Sequence, residues 1–480
     1  MSAVAQPRTQ ARTRLQVRRT ASTGPVLGRR ARLDAVVRLV AGSALWLGLL
    51  LTGYWWAADG GIRELGGWAS GLDSTGRFTG LAASVLLLAQ VLLMARIPVL
   101  EAAFGQDRLA RVHRIVGFTS FNLMLAHIVT ITWGYGAGEL TRTPATLWDL
   151  VVGYAGMLLA VGGTAGLCLV VATSIRAARR RIRYESWHLL HLYAYLGVGL
   201  ALPHQLWTGQ QFTSSPGRTA FWWAAWALAA AAVLVWRVAL PLARNLRHRL
   251  RVTSVVAEAD DVVSVYLTGR QLDRLAVEAG QFFGWRFLGR PGWTRSHPYS
   301  LSAGPDGRSL RITVQDAGDG SRTLRWLRPG TPVLVEGPYG RLTARARTRR
   351  KVALLGAGVG VTPLRALAEG LEYDAGEAVL LQRFTDQPLF ARELDVLAHE
   401  RGLQVLHLSG HRRAPGSWLG DSAGPATAVD DLTLLRHWLP DITQRDVYLC
   451  GPPDWTALVQ RTLADAGLPP DQLHLETFTW

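Results

Sequence analysis

Cysteine and lysine are almost missing from this sequence of 480 residues. Its two cysteines, Cys168 and Cys450, lie far apart along the chain, and Lys351 is its single lysine. Two distant cysteines exclude a disulfide framework, a thiolate zinc site and an iron–sulfur cluster held by four cysteines. Any redox chemistry of this chain must therefore use other groups.

Acidic residues are also scarce. The first 33 residues contain eight arginines and no acidic residue. The chain has 52 basic and 35 acidic residues, a formal net charge of +17. Such a charge is typical of nucleic-acid-binding proteins. Here, however, the arginines cluster at the ends of apolar runs, where they set the orientation of a membrane protein. We therefore predict a membrane-integral protein with no nucleic-acid partner.

Long apolar runs, in contrast, fill the first half of the chain, and the hydrophobic fraction is 49%. Windows of about 20 residues, the length that crosses a bilayer, identify six such runs. Six buried core helices are the disfavoured alternative, because the runs have no amphipathic face. The predicted spans are Ala35–Trp56, Phe78–Leu100, His113–Trp133, Leu147–Ser174, Trp187–Trp207 and Ala220–Leu242.

The arginine distribution predicts the direction of the spans. Basic residues crowd the N-terminal arm and the loops after the second and fourth spans, whereas none lies between His204 and Arg218. Because basic loops stay in the cytoplasm, we predict a multi-pass protein of the inner (plasma) membrane with both termini cytoplasmic. Arginine pairs ahead of the first span also fit a twin-arginine export signal. Five further spans and the lack of a cleavage site disfavour that signal.

Five histidines lie in the predicted third and fifth spans, where ionisable residues usually have a function. They are His113 and His127 in the third span and His188, His191 and His204 in the fifth. His113 and His127 are close to four helical turns apart, so their rings share one face at a separation of about 21 Å.

Paired across the two spans, these histidines would hold two b-type haems (heme b). His113 with His191 would bind an inner haem iron and His127 with His204 an outer one, by two axial imidazoles each. On an ideal helix His191 and His204 are about 140° out of phase, a misfit that Pro203 can correct by distorting the helix. His188 is the alternative inner ligand. Structural histidines and a single haem also stay open.

After the arginines at 244–251 the composition changes to alternating strands and turns. Short strands with turn signals and no long helix predict a small antiparallel β-barrel over residues 248–345. Two segments between its strands are distinctive, namely His297-Pro298-Tyr299-Ser300 and Gly318-Asp319-Gly320-Ser321.

From Lys351 the pattern alternates strand and helix. Val352–Leu355 predicts a buried strand, Gly356–Pro363 a glycine-rich turn, and Leu364–Gly370 a helix. Such a turn lets the backbone approach a pyrophosphate at the helix N-terminus. Further strands are predicted at Ala378–Phe384, Gln404–Leu408 and Val447–Cys450. We therefore predict an α/β doubly wound nucleotide-binding domain over residues 350–480.

These motifs in this order resemble the ferric reductase and NADPH oxidase superfamily, in its bacterial type, over roughly residues 80–480. The resemblance rests on His-Pro-Tyr-Ser at 297–300, Gly-x-Gly-x-Gly-x-Thr-Pro at 356–363, Cys-Gly at 450–451 and the histidine spacing. It leaves the basic N-terminal arm (1–34) and the first span unexplained. For the rest it implies a multi-domain fold: a six-helix transmembrane bundle that binds haem (35–243), an FAD-binding barrel and an NAD(P)-binding domain similar to ferredoxin–NADP reductase.

The resemblance also implies three sets of cofactor-binding residues. Those of the flavin are His297, Pro298, Tyr299 and Ser300. Those of the FAD phosphates are Gly320 and Ser321. Those of the nicotinamide dinucleotide are Gly356, Gly358, Gly360, Thr362 and Pro363, with Cys450 and Gly451 beside the nicotinamide.

Residues at the hydride-transfer step follow from the same resemblance. Tyr299 would lie against the flavin ring and Cys450 beside the nicotinamide. Trp480, with Phe478 as the second candidate, would cover the flavin until the nicotinamide displaces it. The alternative is that Trp480 only caps the core.

The preference for NADPH is predicted from arginines. The second strand of the nucleotide domain ends in Gln382-Arg383, with no acid to engage a ribose 2′-hydroxyl. Arg383, or else Arg412 or Arg413, would meet a 2′-phosphate. A solvated surface arginine is the alternative for each of them.

Together these parts predict an NAD(P)H-dependent flavohaem oxidoreductase of the NADPH oxidase or ferric-chelate reductase type. Electrons would pass from cytoplasmic NADPH through FAD and two haems to a small-molecule acceptor at the outer face, oxygen or ferric iron. One alternative is a relay that donates to a quinone or a periplasmic partner protein. Another is a haem-free transporter with a redox-regulated domain.

Overall fold

The first half of the chain is a bundle of long helices in this computed structural model, which describes residues 29–175, 184–289 and 292–477. The long helices are α1 (Arg29–Ala58), α2 (Trp68–Met94), α3 (Gln106–Tyr135), α4 (Met157–Ser174), α5 (Tyr184–Thr208) and α6 (Pro216–Ala232). The last continues through a π-helical segment, Val233–Ala239, into the helix Leu240–His248. Short helices connect the others at Gly61–Glu64, Pro98–Phe104, Thr143–Gly153 and Gln210–Thr213.

Within the described ranges, five helices are long and apolar enough to cross a membrane. They are Arg32–Ala58, Trp68–Met94, Gln106–Tyr135, Met157–Ser174 and Pro216–His248. Helix α5 lies over the predicted fifth span but is not one of these five. The helices indicate a multi-pass membrane protein, and the count of six spans stays a prediction.

The second predicted span is displaced in the structure. Helix α2 runs from residue 68 to residue 94, whereas the sequence predicted Phe78–Leu100. The early start is tolerated because Arg77, on the added turns, forms an ion pair with Glu64. The early end follows from Pro98, which begins the next short helix.

The fourth predicted span, Leu147–Ser174, is two helices in the structure. The first is Thr143–Gly153 and the second is α4. Between them Gly156 has a φ of 84°, a left-handed conformation that interrupts a helix and that glycine adopts at little cost. The break between the two helices was not predicted, because the residues on both sides of it are apolar.

Glycines let the helices of the bundle pack closely in pairs, α2 with α3 and α4 with α5. A Cβ added at Gly76 of α2 would lie 2.5 Å from Ile131 Cγ1 on α3. A Cβ at Gly163 of α4 would lie 2.6 Å from the carbonyl oxygen of Gly197 on α5. Small residues at such contacts are typical of helix association in membranes.

Six antiparallel strands follow the bundle: β1 (Arg251–Ala259), β2 (Val262–Thr268), β3 (Phe282–Phe287), β4 (His297–Ser300), β5 (Ser309–Gln315) and β6 (Val333–Tyr339). They form two sheets, with the orders β1-β2-β5 and β4-β3-β6. Isolated bridges, Leu301 to Ile312 and Arg251 to Pro332, connect the sheets, and both sheets share one apolar core. The antiparallel strands agree with the prediction, while closure into one barrel stays a prediction.

The last part of the chain is a five-stranded parallel sheet with helices on both faces. Its strands are β7 (Lys351–Ala357), β8 (Ala378–Arg383), β9 (Gln404–Leu408), β10 (Arg445–Gly451) and β11 (Leu473–Thr477). Its main helices are α7 (Val361–Gly370), α8 (Ala391–Arg401), α9 (Asp431–Trp438) and α10 (Pro453–Asp465). The order β11-β10-β7-β8-β9 makes β7 and β10 neighbours, so the turns after them lie side by side. Strand β11 was not predicted.

Candidate functional site

The structure brings the four predicted haem ligands together in two pairs. The ring centroids of His113 and His191 are 6.0 Å apart, and those of His127 and His204 are 6.4 Å apart. Metal–nitrogen bonds of about 2 Å on opposite sides of one ion separate two imidazole centroids by about 6 Å. Both pairs therefore have the spacing of axial ligands. The expected misfit in α5 does not prevent the second pair, and Pro203 lies inside that helix.

Each of the four rings has a hydrogen-bond partner at Nδ1. The partners are the Gln90 carbonyl for His113 (3.3 Å), the Gly76 carbonyl for His127 (2.8 Å), Ser174 Oγ for His191 (3.4 Å) and Thr208 Oγ1 for His204 (3.3 Å). A partner at Nδ1 is the arrangement that orients an imidazole whose Nε2 binds a metal. The chain itself therefore sets the direction of these rings.

Sequence reasoning missed two glycines that make room for His127. A Cβ added at Gly80 would lie 2.6 Å from His127 Nδ1, and Gly76 supplies the carbonyl that accepts from this nitrogen. Two glycines four residues apart in an apolar helix are a known pattern of close helix packing. The spacing of these two glycines was the signal in the sequence that could have identified them.

The predicted flavin residues lie on β4 and on the short helix Asp319–Arg322 beside it. A Cβ at Gly320 would lie 2.6 Å from His297 Cε1, so the backbone of this helix touches the strand. The rings of His297 and Tyr299 are parallel, with centroids 6.0 Å apart. Ser300 is buried, and its Oγ has no hydrogen-bond partner among the described residues. An unpaired buried hydroxyl fits a polar ligand atom at this strand.

The hydroxyl of Ser321 is engaged within its own turn. Its Oγ donates to the Gly318 carbonyl at 2.9 Å and accepts from the Ala317 N–H at 2.8 Å. Gly320 and Ser321 are therefore together at the predicted place, but the hydroxyl is already bonded. This turn would therefore bind a phosphate through its backbone and not through the Ser321 hydroxyl.

The three glycines after β7 differ in what surrounds them. A Cβ at Gly360 would lie 2.4 Å from the Cys450 carbonyl oxygen, and one at Gly356 would lie 2.9 Å from Leu364 Cδ1. Both glycines therefore allow close packing within the protein. Gly358 has a φ of 56°, and a Cβ there would meet no atom within 4 Å. Gly358 alone faces open space, at the strand–helix turn where pyrophosphates bind.

Thr362 and Pro363 lie in the first turn of α7, which begins at Val361, three residues before the predicted start at Leu364. Thr362 is buried, and its Oγ1 has no hydrogen-bond partner in the part of the chain that the structure describes. Proline is tolerated in a first turn because the N–H that it lacks would have no helical partner there. An unpaired hydroxyl at a helix N-terminus fits a phosphate oxygen.

Cys450 and Gly451 end β10, directly beside the turn after β7. In the sheet Cys450 pairs with Gly356 on one side and with Glu476 on the other. Burial, with the nearby charge of Glu476, holds the pKa of the Cys450 thiol well above its usual range. The thiol is therefore neutral near pH 7, and a buried neutral thiol is a poor nucleophile.

Glu476 is a site residue that sequence reasoning missed. Burial raises the pKa of its carboxyl to about 8, and the charge of Asp107 on α3 adds to the rise. Its Oε2 has no hydrogen-bond partner within the described ranges. The available signal was an acid one residue after two alternating leucines, Leu473 and Leu475, in a short C-terminal segment.

Replacing Glu476 with glutamine should flatten the pH dependence of stability. The ordinary pKa of a glutamate is 4.5, and that of Glu476 in the folded chain is about 8. Between these values the folded state keeps a proton that the unfolded state has lost, so stability falls as the pH rises. Thermal unfolding in detergent should show this fall for the wild type and a smaller one for E476Q. Parallel curves would contradict the buried acid.

The three candidate arginines for a 2′-phosphate are in different surroundings. Arg413 forms a buried ion pair with Asp431, so it is not available. Arg383 ends β8, where burial and the charge of Arg412 lower its pKa while Asp421 opposes the shift. Two neighbouring guanidiniums beside one acid leave an excess of positive charge at the carboxyl end of the sheet.

Three predicted residues cannot be compared with the structure. Trp480 and Phe478, the candidates that would cover the flavin, lie outside the described residues. The side chain of His188 also lies outside the described residues.

Part of the helical half of the chain matches a known family, and about half of the chain is similar to known reductases. Residues 79–202 match the family described as "Ferric reductase like transmembrane component". The chain is 32% identical over 241 residues to the flavohemoprotein of Pseudomonas aeruginosa, which covers 48% of this chain and 58% of that protein. It is 28% identical over 246 residues to the glycine betaine monooxygenase reductase subunit of Chromohalobacter salexigens, which covers 49% and 65%.

Among solved structures, the flavohem-like FAD/NAD binding domain of nitric oxide dioxygenase from Vibrio cholerae is similar at 25% identity and a TM-score of 0.39. It covers 48% of this chain and 99% of that domain. The chain spans about six tenths of the length of the two curated relatives. The chain therefore joins a segment that matches a ferric reductase-like transmembrane component to a module homologous to parts of a flavohemoprotein and of a monooxygenase reductase subunit.

Proposed function

We propose that this chain is a transmembrane oxidoreductase that moves electrons from cytoplasmic NADPH to an acceptor at the outer face. The path is FAD followed by two b-type haems, and the acceptor is oxygen or ferric iron. The observation that carries the proposal is the pairing of His113 with His191 and of His127 with His204.

The histidine pairs fit haem better than a bare metal ion. A bare ion in a protein takes four or more ligands, and each pair supplies two. Haem brings four equatorial nitrogens of its own and, when bound, supplies one-electron transfer. His113 with His191 would hold one haem, and His127 with His204 would hold the other.

The strand β4 and the turn beside it fit FAD, which converts a hydride into single electrons. Ser300 offers an unpaired buried hydroxyl, and the parallel rings of His297 and Tyr299 offer an aromatic surface. Gly320 lets the backbone of its short helix come within contact of this strand. These residues would bind and orient the flavin without reacting.

NADPH would bind across the adjacent turns of β7 and β10. The open face of Gly358 and the unpaired hydroxyl of Thr362 fit its pyrophosphate. Cys450 and Glu476, both neutral near pH 7, would border the nicotinamide. Arg383 beside Arg412 favours NADPH over NADH, because two guanidiniums attract a 2′-phosphate.

The direction of transfer follows from the charges of the loops. With the basic arm (1–34) in the cytoplasm and six spans, the transmembrane part (35–243) would end inside, and the FAD part (248–345) and the nucleotide part (350–480) would lie inside as well. His113 then lies near the cytoplasmic end of α3 and His127 near its outer end. This is the inside-to-outside order that the proposal needs.

The acceptor is tested with the purified chain in detergent. We expect NADPH oxidation with oxygen or ferric citrate, and a b-type haem spectrum close to two haems per chain. Superoxide dismutase should suppress reduction of a superoxide-detecting dye if oxygen is the acceptor, and it should leave reduction of ferric citrate unchanged if ferric iron is. A chain that reduces its haems but neither acceptor would favour the relay to a quinone or periplasmic protein. A chain without haem would refute the proposal.

A further inference from the structure

A polar cluster, largely shielded from solvent, joins the membrane half of the chain to the flavin half. Arg96 Nη1 lies 2.8 Å from Glu101 Oε1, and these side chains are only 21% and 13% exposed. The Arg96 guanidinium also lies 4.3 Å from the centroid of the Tyr339 ring. Arg237, in the π-helical segment, donates to the Met94 carbonyl at 3.0 Å. We call Arg96, Glu101, Arg237 and Tyr339 the junction cluster.

The backbone at Arg96 is held in an unfavourable conformation. Its φ is 64°, the left-handed region in which a helix commonly ends with glycine. An arginine there costs about 1 kcal/mol relative to glycine. Residues persist in such conformations where their surroundings hold them, and they concentrate at functional sites. Here the side chain of Arg96 contacts both Glu101 and Tyr339.

On the flavin side, one strand, β3, lies between Tyr339 of the junction cluster and the proposed flavin-binding strand β4. Phe282 on β3 pairs with Ser300 on β4 and with Tyr339 on β6. The Phe282 and Tyr339 rings have centroids 5.7 Å apart. Because neighbouring strands are about 4.8 Å apart, Tyr339 is about 10 Å from Ser300 along this row.

On the membrane side, the junction cluster leads directly into the helix of the inner histidine. Glu101 lies in the short helix Pro98–Phe104, and α3 begins at Gln106. His113 follows about 10 Å further along the axis of α3. A Cβ at Gly105 would lie 2.9 Å from Arg341 Cδ, so the chain just after Tyr339 also touches the start of α3.

We propose that Arg96 and Tyr339 are positioning residues for electron transfer from the flavin to the inner haem, an inference that rests on the proposed function. In this step one electron leaves the reduced flavin and reduces the ferric haem iron, and two such steps use the electron pair of one hydride. Transfer between separate cofactors slows steeply as their gap widens. Domains of one chain move relative to each other unless contacts fix them. A shielded cation–π contact backed by an ion pair fixes this gap.

The test uses the full chain, loaded with FAD and haem, and four variants. R96G removes the guanidinium but suits the backbone, because glycine adopts a positive φ freely. R96K keeps the charge without the planar group that stacks on a ring. Y339L removes the aromatic ring, and Y339F, the matched control, keeps it. Anaerobic stopped-flow mixing with NADPH then measures flavin reduction and haem reduction separately.

We expect R96G and Y339L to slow haem reduction at least about tenfold, since small misplacements of reacting groups have effects of this size or larger. R96K should be intermediate and Y339F close to the wild type, while flavin reduction changes less than about twofold in all four. Haem reduction at the wild-type rate in R96G and Y339L would overturn the inference. Equal slowing of both steps would overturn it too, because it marks general damage. A wild-type chain without reducible haem would instead refute the proposed function.

Discussion

Replacing His127 with alanine should remove the outer haem and stop reduction of every outer acceptor, while NADPH still reduces the flavin. The ring of His127 is one of the two proposed haem ligands in its pair, with its centroid 6.4 Å from that of His204. Without this imidazole the pair would lose half of the protein's bonds to the outer haem. We expect haem content to fall by about half and acceptor turnover by at least about a hundredfold, the size expected when a required group is lost.

Haem spectra and stopped-flow kinetics measure these effects. H113A should also block acceptor reduction, but at an earlier step. The flavin would be reduced by NADPH, and neither haem would be. The matched control is H399A, because His399 is an exposed histidine on α8, far from the pairs in sequence. Acceptor reduction at the wild-type rate in H127A would show that the outer pair does not carry electrons.

Replacing Gly358 with asparagine should abolish reduction by NADPH and leave the haems competent. Gly358 has a φ of 56°, and a Cβ there would meet no protein atom within 4 Å. Asparagine tolerates this conformation better than other residues with side chains. The new side chain would therefore fill the ligand space without disturbing the protein. We expect flavin reduction by NADPH to fall about a hundredfold or more, the cost of a misplaced reactant.

Gly376 offers a matched control for this variant. It also has a positive φ, 80°, and open space around a Cβ, but it lies ahead of β8, away from the turn. G376N should bind NADPH as the wild type does. Chemical reduction of the haems by dithionite should be unchanged in both variants. If G358N keeps its NADPH reduction, the pyrophosphate does not bind at this turn.

Local patterns were sufficient to predict much of the soluble half. Strand β9 was predicted to the residue, and the glycine-rich turn was placed correctly between β7 and α7. Strand β11 was missed because it is a short edge strand in which little distinguishes it from a loop. The early start of α2 was missed because it depends on Arg77 meeting Glu64, a tertiary contact.

The site was predictable in its parts and less so in their functions. The histidine pairs followed from order and spacing, although ideal helix geometry argued against His204. The difference between Gly358 and Gly360 could not be predicted, because it depends on Cys450 approaching from a distant strand. Glu476 was hidden for the same reason. Its pKa reflects burial together with a charge on α3, in the other half of the chain.

The separation of His113 and His127 along α3 has an electrical consequence. Their spacing of about 21 Å spans about seven tenths of a hydrocarbon core of about 30 Å. One charge that crosses a whole bilayer exchanges about 2.3 kcal/mol per 100 mV. In the proposed function, each electron that passes between the two irons would therefore gain about 1.6 kcal/mol per 100 mV from an inside-negative potential. The enzyme would be electrogenic, driven partly by the membrane voltage, and its turnover would depolarise the cell.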